Sequence, residues 1–162
     1  MGPCQGILRL ESDIWRCALG AGGIVSRKRE GDGAAPMGRW RLREVLYRPD
    51  RLARPRTALP VRAMRAYDGW CDAPADRNYN RPVRLPYGAS AEALWREDHL
   101  YDVVVGLGVN DRPRVRGRGS AIFIHLARPG YAPTEGCVAL QRRDLLRILG
   151  HCDRRSIVEI LT

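Results

Sequence analysis

At 162 residues the chain is long enough for one domain with a substantial core, and 28 Lys+Arg against 18 Asp+Glu give a formal net charge of +10. Only Lys28 is a lysine, so the positive charge is carried by arginines scattered along the chain; with one Phe and no aromatic ladder, a nucleic-acid surface is not expected. Five cysteines without a C-x-x-C pair and three histidines without ligand spacing exclude an ordinary metal centre, no cofactor is expected, and no run is apolar enough for membrane insertion.

The chain reads as a single domain over residues 1–162, with neither internal repeat nor low-complexity tract. Glu11, Asp13 and Arg16 interrupt the apolar core that an export signal needs, so the expectation is a cytoplasmic protein with free thiols. A periplasmic location would need a mis-assigned start codon or a non-standard export route.

Residues 6–10 and 13–19 predict two short strands around Glu11-Ser12, and residues 20–25 a third. Residues 29–38 are turn chemistry, with Asp-Gly and Pro-x-Gly. From Arg39 to Tyr47, Trp40, Leu42 and Leu46 alternate with Arg39, Arg41 and Arg43, which is the period of a strand with a charged outer face. Residues 48–60, rich in Pro and Arg, predict an exposed excursion, and residues 61–66 a strand. Residues 68–86 read as a long ordered loop of the kind that walls a pocket or forms a lid, with Trp70 and Tyr79 as candidate ligand contacts or plain packing residues. Cys71, with no histidine near it in sequence, reads as a buried thiol. Residues 90–98 predict a short helix with Ser90 as N-cap and Glu92 in its first turn. Residues 100–109 predict a central strand and residues 110–119 a basic loop or hairpin. A helix over residues 142–149 turns Leu145, Leu146 and Leu149 inward and Arg142, Arg143 and Arg147 outward, and a last strand covers residues 156–161.

The centre of the chain is Gly119 to Leu149. A short buried strand, Ala121 to Ile124, delivers His125 at its end; a Gly/Pro-punctuated loop follows, then Thr134-Glu135-Gly136-Cys137. A lone histidine in an apolar strand is more often a core residue, and a lone cysteine before a helix a small buried hydrophobe. Together they predict a nucleophile: imidazole takes the thiol proton and leaves a thiolate. Gly136 allows close backbone approach, so its N–H and that of Cys137 are candidate oxyanion donors. Cys137 is expected to be an exposed thiol that contributes little to packing.

These residues resemble the L,D-transpeptidase catalytic domain, the YkuD-like family. Its signature is a His, a loop, then Ser/Thr-x-Gly-Cys, an aliphatic residue, Arg, a hydrophobic residue, and an Asp heading a helix. His125, Thr134, Gly136, Cys137, Val138, Leu140 and Asp144 fit it, and Pro36-x-Gly38 resembles the family's Thr-Pro-x-Gly segment with Ala35 in the Thr place. The resemblance implies a mainly β fold, a β-sandwich with a few short helices. It implies Cys137 as nucleophile, His125 as general base, Gly136 and Cys137 amides as oxyanion donors, and the Leu126 carbonyl orienting the imidazole. The implied partners are peptidoglycan stem peptides or muropeptides, attacked at the carbonyl of the third residue so that the terminal D-alanine leaves.

Three positions depart from the pattern: Leu126 replaces a common Gly, Glu135 a common His, and Ala139 the Arg of typical cross-linking members. Arg128, Arg142 and Arg143 are candidates for the missing charge, and Tyr131 and Thr134 for further substrate contacts. With no export signal expected, the favoured role is a cytoplasmic L,D-carboxypeptidase in muropeptide recycling, with water as acceptor. The alternative is an L,D-transpeptidase that forms cross-links or exchanges D-amino acids in the periplasm. From other classes, a non-catalytic binder of anionic glycan or nucleic acid and a redox-sensing thiol protein compete less well with the His125/Cys137 pair.

Overall fold

The two most apolar runs of the sequence lie side by side at the centre of the fold. The computed structural model describes residues 4–10 and 12–162. Its strands are β1 (Gln5–Leu10), β2 (Asp13–Ala18), β3 (Ile24–Val25), β4 (Ala35–Pro36), β5 (Gly38–Tyr47), β6 (Val61–Ala63), β7 (Asp68–Cys71), β8 (Arg81–Arg84), β9 (Ala91–Ala93), β10 (Val103–Leu107), β11 (Phe123–Leu126), β12 (Val138–Leu140) and β13 (Ile157–Ile160). A 3-10 turn (Pro129–Tyr131) precedes β12, and the helix α1 (Arg142–Leu149) follows it. The main sheet runs β1-β2-β12-β11-β10-β5-β13, with β6 attached to β5; β8-β7-β9 form a second sheet and β3-β4 a third.

Both faces of the central strands are buried, and strand alternation divides the core accordingly. Val103, Val105, Leu107, Ile124, Leu126, Val138 and Leu140 belong to the larger cluster, which α1 closes with Leu145, Ile148 and Leu149. Val104, Phe123 and Cys137 belong to the cluster on the other face, with Leu46, Met64, Leu94 and Tyr101. The small sheet covers this second face, where Trp70 meets Phe123 edge-on at 5.3 Å between ring centroids. The mainly β fold expected from the sequence is the one the chain adopts, and α1 has the expected bounds. Leu146 is only half-buried, and Ile148 takes the inward position instead.

Several segments differ from expectation. Residues 68–86 are not a plain loop: β7 and β8 pair antiparallel, with Pro82 opposite Trp70. Proline is tolerated there because β8 is an edge strand and needs no N–H on its open side. Residues 90–98 form no helix. Tertiary pairing overrides local propensity: Glu92 lies beside Trp70 in the β7/β9 ladder, and Leu94 is fully buried. Among the described residues the helical content is thus α1 and one 3-10 turn. Residues 20–25 and 29–38 contribute the short parallel pair β3/β4. The strand carrying His125 begins at Phe123, not Ala121, whose φ of 52° is left-handed, and His125 lies inside it rather than past its end. The excursion after β5 is not exposed throughout: Arg48 is buried, clamped on Asp50 and the Arg96 carbonyl and stacked on Trp95.

Asp102 fastens this excursion to the sheet. Its side chain is 0% exposed, accepts from Arg51 Nη1 at 2.8 Å, contacts His99 Nδ1 at 2.9 Å and lies 3.5 Å from Arg142 Nη2. A buried carboxylate with this many partners is costly to break from one side. Asp102→Ala should lower the unfolding free energy by about 3 kcal/mol in urea titration. A change within experimental error would show that Arg51, His99 and Arg142 find other partners.

Candidate active site

β11 and β12 pair in parallel, with Ile124 beside Val138, His125 beside Ala139 and Leu126 beside Leu140. Alternation sends Ile124, Leu126, Val138 and Leu140 into the larger core. His125, Cys137 and Ala139 therefore face the other way, where they line one cavity of about 650 Å³.

His125 Nδ1 lies 2.9 Å from the Leu126 carbonyl oxygen. A carbonyl can only accept, so Nδ1 carries the hydrogen and Nε2 keeps its lone pair. The ring also meets Tyr101 at 5.2 Å. Burial pushes the imidazole pKa down to about 4, against the opposing pull of the Leu126 carbonyl. Cys137 is 7% exposed, which corrects the expectation of an exposed thiol. Its sulfur accepts the Phe123 N–H at 3.3 Å and donates to the Ala121 carbonyl, also at 3.3 Å. Burial first, then the charge of Glu92, pushes the thiol pKa up to about 12. The resting pair is therefore neutral thiol and neutral imidazole, not the thiolate expected from the two residue types. A sulfur in this state can become a nucleophile only by losing its proton to a base as it attacks.

The turn before Cys137 is tied by Thr134. Its hydroxyl donates to the Cys137 carbonyl at 2.6 Å and accepts the Gly136 N–H at 3.3 Å. The Gly136 amide is thus already engaged, whereas the Cys137 amide makes no hydrogen bond among the described residues. Of the two expected oxyanion donors, the Cys137 amide is thus the one left free. Gly136 is required for a different reason. Its φ is 120°, and a Cβ there would fall 2.8 Å from the Ala34 carbonyl oxygen.

Over residues 9–160 the sequence matches the family model YkuD, the L,D-transpeptidase catalytic domain. The chain belongs to this family. Comparisons with curated proteins and with solved structures return no match.

Of the substrate contacts expected from sequence, the cavity of this L,D-transpeptidase family member includes Arg128 and Thr134. The other nominees lie elsewhere. Trp70 donates to Asn80 Oδ1 at 2.9 Å and packs on Phe123; Tyr79 is buried with its hydroxyl on Glu30. Tyr131 lies under the Arg16 guanidinium at 4.6 Å, and Arg142 faces Asp102. Arg143 is exposed on α1. Sequence reading missed Lys28, Glu30, Asp72, Glu92, Arg96 and Tyr101, which also line the cavity. They come from separate segments that only the tertiary fold brings together, and no local pattern marks them.

The neutral imidazole has a measurable signature. If His125 acts as the base, kcat/KM keeps its plateau through pH 6.5 and falls with a midpoint near 4. An acid limb centred at 6.5 would contradict this burial. The fold responds in the same window. The unfolded imidazole takes up a proton near 6.5 and the folded one near 4, so stability present above 6.5 is lost as pH falls towards 4. The loss is at most about 3 kcal/mol. His125→Gln has no such proton to bind and should show a flatter dependence of Tm on pH.

Proposed function

We propose that this protein cleaves the L,D peptide bond before the terminal D-alanine of a peptidoglycan stem peptide and passes the acyl group from Cys137 to an acceptor. The observation that carries this reading is the convergence of Cys137, His125 and Arg128 on one cavity, with the imidazole held by the Leu126 carbonyl. As sulfur attacks the carbonyl of the third residue, its proton passes to His125 Nε2. The carbonyl oxygen gains charge against the Cys137 N–H, the C–N bond breaks, and Nε2 returns the proton to the departing D-alanine amine.

Arg128 is the residue for the leaving group's carboxylate. The cavity's other cations are already engaged, Lys28 by Asp32 and Arg96 by a two-point bond to Asp98. Arg128 forms no ion pair among the described residues. It supplies a charge that Ala139, beside His125, does not.

Two fates of the thioester are supported by different observations. Carboxylates of Glu30, Asp72, Glu92 and Glu135 line the cavity of a protein with net charge +10, which supports a cationic amine and so transpeptidation or D-amino-acid exchange. The small Ala139 side chain leaves space for water beside His125, which supports hydrolysis, the L,D-carboxypeptidase reaction. Hydrolysis would suit cytoplasmic muropeptide recycling, and transfer would suit the periplasmic wall. Among the described residues no helix is long and apolar enough to cross a membrane.

The test is mass spectrometry of the purified protein with a tetrapeptide, with and without an added D-amino acid. Loss of D-alanine through an acyl adduct on Cys137 is expected; tripeptide assigns water as acceptor and a new tetrapeptide assigns the amine. No release of D-alanine would overturn the reading. Cys137→Ala should abolish turnover, and Arg128→Ala should raise KM for the tetrapeptide on the order of tenfold or more.

A further inference from the structure

Resting on the acyl-transfer reading, we propose that Asp72 and Glu92, with Glu135 at the rim, form an acceptor subsite that receives an amine arriving as an ammonium ion. The small sheet builds this site. In the β7/β9 ladder Trp70 lies beside Glu92 and Cys71 beside Ala91, and the Asp72 N–H donates to the Ser90 carbonyl at 3.3 Å. Residues two apart on a strand share a face, so Asp72, Trp70 and Glu92 look the same way, with the two acids as diagonal neighbours. Trp70 on that face packs against Phe123, whose N–H bonds the Cys137 sulfur. The acidic face therefore lies over the nucleophile, and both acids line its cavity.

The carboxylates on this face have unused capacity. One Asp72 oxygen, Oδ1, is buried and has no hydrogen-bond partner among the described residues. A buried acceptor without a donor is costly, and rotation of the half-buried Asp72 carboxylate towards the cavity would let an incoming N–H satisfy it. The Glu92 carboxylate accepts the Tyr101 hydroxyl on Oε1 at 2.6 Å and makes no other side-chain hydrogen bond among those residues. Glu30, on the same cavity, is different: Tyr79 and Ser120 already donate to it. Arginines are abundant, and they pair with Asp13, Asp50, Asp68, Asp98, Asp102 and Asp111. None pairs with Asp72, Glu92 or Glu135 among the described residues. Burial first, with added repulsion from Asp72 and Glu135, holds the Glu92 pKa above the usual carboxylate range, a condition that a bound cation relieves.

The step balances without any further reagent. The ammonium leaves one proton on the Glu92 carboxylate and attacks the thioester as a neutral amine. The C–N bond forms and the C–S bond breaks. A second nitrogen-bound proton passes through His125 Nε2 to the Cys137 sulfur, and the Glu92 proton goes to solvent. Arg128 and the acidic pair thus divide the cavity between a leaving carboxylate and an entering amine.

The experiment measures the partition between transfer and hydrolysis, with a tetrapeptide donor and D-alaninamide, an amine without a carboxylate, as probe. Water serves as the uncharged acceptor in the same reaction. The double variant Asp72→Asn/Glu92→Gln should raise the half-saturating D-alaninamide concentration on the order of tenfold, shifting products towards tripeptide. General damage to the site would depress both products together and leave their ratio in place, which would overturn the subsite. If the double variant does not fold, Asp72→Asn and the exposed Glu135→Gln decide singly: an unchanged ratio in both overturns it. Absence of D-alanine release from the wild type would refute the acyl-transfer reading itself. Wild-type transfer with an unmoved ratio in the variants would refute only the acidic subsite.

Discussion

The site depends on the parallel pairing of two short strands. His125 and Cys137 arrive on one face because β11 and β12 lie in register, and a slip of one residue would turn one of them into the opposite core. What fixes the register is the other face: Ile124, Leu126, Val138 and Leu140 are all buried in the larger cluster. The face that carries His125 and Cys137 is thus positioned by the hydrophobic one. Packing of these four side chains on the far side of the sheet sets where His125 and Cys137 stand relative to each other.

The same burial governs the electrostatics. Desolvation acts on both members of the pair in the direction of neutrality, so the site holds an unionised acid beside an unionised base. A thiol in this state resists indiscriminate alkylation and oxidation, since the thiolate is the reactive form. In the proposed reaction, reactivity appears when substrate brings a carbonyl to the sulfur and the Cys137 amide receives the developing charge. The Phe123 N–H already points at the sulfur and favours the ionised form as it emerges.

The parts of this molecule that were legible in the sequence are those where local pattern and tertiary role coincide. Leu145 and Leu149 on α1 obey helical spacing because one face is buried, and the alternation in β5 shows because its other face is wet. His125 and Cys137 stood out because Thr134, Gly136 and Leu140 surround them in a fixed pattern, and the Leu126 carbonyl occupies the expected place. The small sheet was illegible for a physical reason. Ala91 to Ala93 has the composition of a helix start, Pro82 breaks a strand pattern, and only pairing with β7 makes either a strand. The acids on that sheet were hidden with it, and Glu92 looked like a helix first-turn residue. Trp70 and Tyr79, which the sequence leaves open between ligand contact and packing, rest against Phe123 and Glu30.

Thr134 is also held from the amino-terminal side. Its N–H donates to the Leu19 carbonyl, and its own carbonyl accepts the Ala21 N–H, each within 2.9 Å. The residues that grip it continue directly from β2, and β1 beyond β2 is the margin of the main sheet. Marginal hairpins are where a sheet opens first in local fluctuations. The turn bearing Cys137 is therefore mechanically continuous with one edge of the main sheet. A contact that clamps the β1/β2 hairpin, however distant from the cavity, would steady Cys137 as well.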